Sequence, residues 1–385
     1  MTPDYLVQNS ICSRAPKFPL IFFLMTNTKL YAPSTWTCVD EQHKALIQDL
    51  DSDFERYIWK LKRREITKST ELVSRTVDLL DCYISRCSAF TVAELLSLFR
   101  EMGRVFTEAR PIELIVGNVV RRVLHIIKHE SVTTVSNAVD LSRSLYTHGT
   151  DDNASLTIPV STIREAIQNE IVSLIEDVTS TDSTISTHAM SHIYSSEVIL
   201  TYGYSRTVLN FLKKAYKAQR KFEVIIAEAA PTLLGQKMAA ALANTGIDVT
   251  VISDAAVLAV MPSVSKVVMG THAVLANGGL VAPIGGATVC SAARHHSVPV
   301  LVLCGTHKLT PLYAFDEDTF NEHNCPSQMV QFDEVLEGRV DVVNPGYDYV
   351  PPELVALIVT DEGAYAPAFI YSQLGQQYAP EFYVF

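Results

Sequence analysis

No C-x-x-C pair occurs among the seven cysteines of this chain, and their number is odd. Thiols scattered in this way cannot form a disulfide framework and suit a reducing compartment, the cytosol. Paired metal ligands are missing as well. His323 lies near Cys325, and His295 beside His296, but neither pair has a second at a workable spacing, so neither metal nor cofactor is expected. Positive charge is scarce: 31 lysines and arginines face 42 acidic residues, a formal charge of −11. That balance argues against a surface that neutralises nucleic-acid phosphates. The basic run at residues 60–64 does not alter it, and reads either as a solvated helix face or as a partner site. The apolar run at residues 18–25 is too short to cross a bilayer, so no membrane partner is expected. Arg14 and Lys17 precede it as in a signal-peptide core, yet Pro19 interrupts it and the cysteine usage does not suit secretion. Residues 1–50 are therefore expected to be an extension, partly ordered on the body of the protein.

What the chain does have is apolar substance. At 385 residues and 48% hydrophobic it can bury a sizeable core, in two domains. Residues 51–180 read as helical. Ser52 and Glu55 have capping-box spacing, followed by Phe54, Tyr57, Ile58 and Leu61 on one face. Val73, Val77, Leu80 and Ile84 mark a second helix. Thr91 and Glu94 open a third, striped by Val92, Leu95, Leu96, Phe99, Met102 and Phe106. Pro111 suits a first helical position ahead of Ile115, Val119, Val123 and Ile126. Residues 131–159 have little periodicity and read as a loop. Thr162 and Glu165 then open a helix with an apolar seam from Ile163 to Val178. The polar run 179–186 is expected to be the hinge to a second domain at 186–385.

That second part alternates strand and helix. Short β-branched runs at residues 198–200, 224–226, 249–252, 267–269 and 300–303 read as strands buried on both faces. Helical patterns at 208–216 and 233–242 separate the first three. Crossovers of this kind predict an α/β fold, a Rossmann-like, doubly wound, mainly parallel sheet following the helical domain. Ligands in such sheets sit beyond the carboxyl ends of the strands. Three loops lie there: one with Gly203, Tyr204, Ser205 and Arg206, one with Asp254, and one with Asn277 and Gly278. Taken singly, each is what a turn or cap demands, and Asp254 reads as a cap or as an acid–base group. Pro351 and Pro352 keep residues 349–353 out of a central strand. Tyr347 and Tyr349 then either anchor a partner or close the chain's own core. A strand at 354–360 is expected next, and its following loop, 363–367, near Asp254.

In that order, ILTYGYSRTV at 199–208, SDAAVLAVM at 253–261 and LANGG at 275–279 resemble one superfamily. It joins the methylthioribose-1-phosphate and ribose-1,5-bisphosphate isomerases to the regulatory subunits of eukaryotic translation initiation factor 2B. DYVPPELV at 348–355 leans toward the beta branch of those subunits, and LKRR at 61–64 and GNVVRRVL at 117–124 are similar to their helical domain. The resemblance extends from about residue 53 to the end of the chain. The isomerases carry a cysteine where this chain has Gly203, and Asp, Asn and Lys where it has Gly279, Ala282 and Pro283. A proton shuttle needs two titratable groups, and Asp254 is one. The resemblance thus implies a non-catalytic regulatory subunit of the guanine-nucleotide exchange factor for the GTP-binding initiation factor 2. Its partners would be sister alpha, gamma, delta and epsilon subunits, delta the nearest, and initiation factor 2 through its alpha subunit. Arg63, Arg64, Arg121 and Arg122, with Tyr347, Tyr349, Pro351 and Pro352, are the interface candidates. The competing reading is an aldose–ketose isomerase in which Asp254 works with Tyr204 or His272.

Overall fold

The computed structural model describes residues 32–37, 41–87, 89–142, 155–313, 321–330 and 341–385. The apolar run at 18–25 lies outside them, as do residues 143–154 of the expected loop. Helices α1 (Glu41–Ile47), α2 (Asp51–Lys62), α3 (Ser69–Arg86), α4 (Val92–Ala109), α5 (Leu114–Ser142) and α6 (Val160–Thr187) come first. Their apolar stripes meet in one core that buries Phe54, Tyr83, Phe99, Phe106 and Val123. At the start of α4 the Thr91 hydroxyl accepts from Glu94 N while the Glu94 carboxylate accepts from Thr91 N at 2.7 Å, the reciprocal box its sequence predicts.

Two other boxes do not form. Ser52 lies inside α2, because the chain is already helical before it, and Thr162 lies inside α6, which begins at Val160 behind Pro159. Pro111 sits in the turn ahead of α5 rather than at its first position. The expected loop from residue 131 is helix as far as Ser142, and the expected hinge at 179–186 forms the last two turns of α6. In both runs the hydroxyls turn back onto their own helix. Thr134 donates to Glu130 O at 2.8 Å, Thr179 to Ile175 O at 2.7 Å and Thr181 to Asp177 O at 2.8 Å. Side chains satisfied in this way do not compete for the helix's backbone bonds, so a polar run without apolar period stays helical. The passage to the sheet falls later, between residues 188 and 197.

Strands β1 (Val198–Tyr202), β2 (Glu223–Ala227), β3 (Asp248–Ile252), β4 (Lys266–Gly270), β7 (Val300–Leu303), β9 (Leu357–Val359) and β10 (Ala364–Tyr365) form a seven-stranded sheet. Its order is β10-β9-β7-β4-β1-β2-β3, parallel except for β10. Helices α7 (Arg206–Lys217), α8 (Leu234–Ala243) and α9 (Gly286–His295) cover its two faces, each with its own apolar core. Strands β1 and β7 are buried on both faces as the sequence suggests, but β3 is not, since it is the sheet edge, with Val251 45% exposed. A second sheet, β5 (Ala273–Val274), β6 (Leu280–Pro283) and β8 (Tyr347–Val350), is antiparallel, with β8 at its border directly before Pro351. Strand order reverses between β1 and β4, so the late strands run away from β3. Loop 363–367 therefore lies not beside Asp254 but at the opposite edge, six strand spacings or roughly 29 Å off.

Two of the devices that lock the helical bundle to the sheet lie in late segments of the chain. Glu322 accepts from Arg110 Nε at 3.1 Å and pairs with Arg64 at 3.3 Å, while Arg110 also pairs with buried Glu113. The other is the final segment. Helix α10 (Ile370–Gln377) and Tyr378 pack in the sheet core, and Phe382, four residues on, is buried in the helical core.

Candidate functional site

A cavity of about 540 Å³ opens where bundle meets sheet, at the ends of β1, β4 and β7. This is the switch point of the strand order, where the sheet splays its loops apart. Gly203 follows β1 with φ 62, a left-handed conformation that a side chain would strain. Ser205 caps α7 by accepting from Val208 N. Arg206 donates to Asp182 Oδ2 at 2.6 Å, and Thr207 to Asp182 Oδ1 at 2.7 Å, so α6 is tied to the sheet. Tyr204 stands at the mouth with the Lys237 ammonium 5.1 Å from its ring centre.

Asp254 does not join this cavity's lining. Its carboxylate accepts from Ala229 N at 2.9 Å and Ala230 N at 2.7 Å, and so fixes the loop after β2, where Ala229 and Leu233 have positive φ. The hydrogen bonding is structural, although the N–H groups it caps belong to the loop after β2 and not to the turn that Asp254 itself opens. Asp254→Asn should cost about 2 kcal/mol, because an amide cannot accept at both oxygens. Urea unfolding measures it, and an unchanged midpoint would contradict the capping role.

His272 follows β4, three strand spacings or about 14 Å from β3. Its Nε2 donates to Ile112 O at 3.0 Å, and Glu113 lies 3.7 Å away. Burial lowers its pKa, so it serves as a neutral link to the bundle, its ring 4.7 Å from that of Tyr347. Of the two partners that the isomerase reading offers Asp254, Tyr204 or His272, the second is engaged elsewhere, with Ile112 O and beside Glu113. Asn277 closes its own turn, accepting from Gly279 N and donating to Tyr349 Oη, both at 2.9 Å. Gly278, at φ 79, leaves no room for a Cβ against Pro367 O.

The interface candidates divide. Arg63 is exposed, its guanidinium 5.6 Å from the centre of the Trp59 ring. Arg64 is committed to Glu322, and Arg122 donates to Gln377 O at 3.0 Å. Arg121 cannot meet a partner, being 2% exposed. It donates to Phe382 O and Tyr383 O at 3.2 Å and lies 4.4 Å from the Phe385 ring centre, and burial brings its pKa down to about 10. Tyr347 packs within the chain's own core at the junction, and Tyr349 is half-buried against Asn277. Pro351 and Pro352 end β8 and open a turn, both half-buried.

Several residues of the site escape sequence reasoning. Asp348 accepts from Gly285 N at 2.7 Å and Ala287 N at 3.1 Å, so the start of α9 already holds a carboxylate of this chain. Lys68, from the helical bundle, and Lys237, from α8 on the sheet, line the cavity, and Lys308 donates to Thr271 O. Gly285–Gly286 was the available signal for Asp348; nothing local marks the lysines. His307 sits at the cavity's inner wall with both ring nitrogens sealed from water and unpartnered. Burial, with Lys308 and Arg206 nearby, pushes its pKa down to about 3. The unfolded chain then binds more protons than the folded one between about pH 3 and 6.5, so stability is lost as pH falls through that window. Denaturation midpoints should drop from pH ~7 to ~4.5, and less steeply in His307→Leu; an equal slope in the variant would contradict this. Among the described residues no group of three His, Cys, Asp or Glu side chains could hold a metal ion, and no helix is long and apolar enough to cross a membrane.

Fold and cavity together define a class: a helical bundle locked onto a mainly parallel sheet, with strand-end carboxylates spent on backbone N–H groups. The chain belongs to the initiation factor 2 subunit family, whose model matches residues 65–367. It is 35% identical over 368 residues to translation initiation factor eIF2B subunit beta of Dictyostelium discoideum, covering 84% of this chain and 94% of that protein. The crystal structure of eIF2B beta from Chaetomium thermophilum is similar, with a TM-score of 0.70 and 27% identity over 90% of this chain and 98% of that one. The tetrameric eIF2B-beta2-delta2 complex of that organism matches with a TM-score of 0.67 and 25% identity, over 88% and 99%.

Proposed function

We propose that this chain is a non-catalytic regulatory subunit of a cytosolic guanine-nucleotide exchange factor of the eIF2B type. It works by assembling with sister subunits and by binding the alpha subunit of initiation factor 2. The observation that carries the reading is the fate of Asp254, which spends both carboxylate oxygens on the N–H groups of Ala229 and Ala230 and stands outside the cavity's lining. An acid with both oxygens so engaged is not poised to shuttle a proton. The relatives' names support assembly: one solved match is a complex of beta with delta chains.

An apolar edge supports it as well. Val251 on the unpaired border strand β3, Leu258 in the helical turn after it, and Leu233 and Leu234 at the start of α8 are 42–54% exposed. Exposed apolar residues concentrated at an open sheet edge suit a permanent partner, and a delta-type sister subunit is the occupant we assign. The helical domain then faces initiation factor 2, with Arg63 its exposed cation. Co-expression with a delta-type subunit, followed by light scattering, tests the reading; a joint complex is expected, and separate elution of the two chains would overturn it.

A further inference from the structure

We propose that the junction cavity is a docking groove for an acidic peptide segment of a protein partner, a role that rests on the cavity being non-catalytic. Two exposed lysines line it, Lys68 in the turn before α3 and Lys237 on α8, and neither has a carboxylate partner among the described residues. Unpaired cations from both bundle and sheet are notable in a chain of net charge −11, and they make a local positive field in an otherwise repulsive surround.

The layout favours a strand of carboxylates over one phosphate. A phosphate dianion is held by convergent N–H donors, typically at a helix start. Here the start of α7, which does line the wall, is capped by its own Ser205, which accepts from Val208 N, and Pro283 has no N–H to offer. Arg206, the guanidinium that could grip a phosphate in two places, is engaged with Asp182. What remains free is two separated point charges, with Tyr204 37% exposed beneath Lys237 and able to seat an adjoining side chain. Charges divided between bundle and sheet match acidic side chains spaced along an extended backbone.

The test is fluorescence anisotropy of the full chain with a fluorescein-labelled oligoglutamate peptide, an oligoglutamine control and ribose 5-phosphate as competitor. Oligoglutamate should bind, more weakly as salt rises, while oligoglutamine should not. Lys68→Glu and Lys237→Glu should each weaken binding roughly tenfold. Lys214→Glu, an equal charge change two turns further along α7 from the cavity, should leave it intact. No oligoglutamate binding, equal loss in all three variants, or displacement by ribose 5-phosphate would each overturn the proposal. None of these outcomes depends on co-assembly with a delta-type subunit, so failure here and failure of the assembly reading are distinguishable.

Discussion

Phe382→Ala is expected to lower the unfolding free energy by about 4 kcal/mol, read as a large fall in urea midpoint. Phe382 is 1% exposed in the helical core although it arrives from the sheet domain, four residues after Tyr378 anchors in the sheet core. Its loss removes a large buried ring and also loosens the carbonyls that hold Arg121. Gly103 and Gly117 show how closely the segment is fitted, since a Cβ at either would approach the Phe385 ring. Lys128 adds an ion pair to Glu381 at 2.7 Å. Arg121→Met should cost far less, roughly 1 kcal/mol, because an apolar side chain of similar length leaves no unpaired charge behind. Equal losses in the two variants would show that the charge, not the ring, holds the strap; a loss below about 1 kcal/mol for Phe382→Ala would show that the segment is not a strap.

Leu258→Asp combined with Val251→Asp should weaken association with a delta-type subunit by at least about 100-fold while leaving the isolated chain folded. Val251 lies on β3 and Leu258 in the helical turn that follows it, both roughly half exposed, so charge there meets water in the free chain and is desolvated only on assembly. Sedimentation of the mixed subunits reads the result. Undiminished association would move the interface off this edge, whereas loss of fold in the variant alone would mean that the edge belongs to the chain's own core.

The sheet was legible in the sequence because β-branched runs of three or four residues between turns have few other uses, and the loop order at 203, 254 and 277 carried the family. The helix limits were less legible for physical reasons. Thr91 and Glu94 form a real capping box, while Ser52 with Glu55 and Thr162 with Glu165 have the same spacing inside helices, where the hydroxyl has no free N–H to cap. The Ser- and Thr-rich end of α6 resembled a linker because composition does not reveal that each hydroxyl bonds its own helix. Arg121 and Arg122 are adjacent, so nothing in their own identity tells which turns inward. Gly117, one turn before Arg121, was the overlooked signal, for a Cβ there would lie 2.8 Å from the Arg121 guanidinium. Asp254 was placed correctly at a strand end, but its choice between cap and acid depended on the loop after β2, contributed by another part of the chain.

Affinity purification of the intact chain from its own cells, with mass spectrometric identification of what co-elutes, addresses the assembly claim most directly. Alpha, gamma, delta and epsilon subunits of the exchange factor, together with initiation factor 2, are expected in the eluate. Recovery of the chain alone, or as a homo-oligomer free of those subunits, would contradict it.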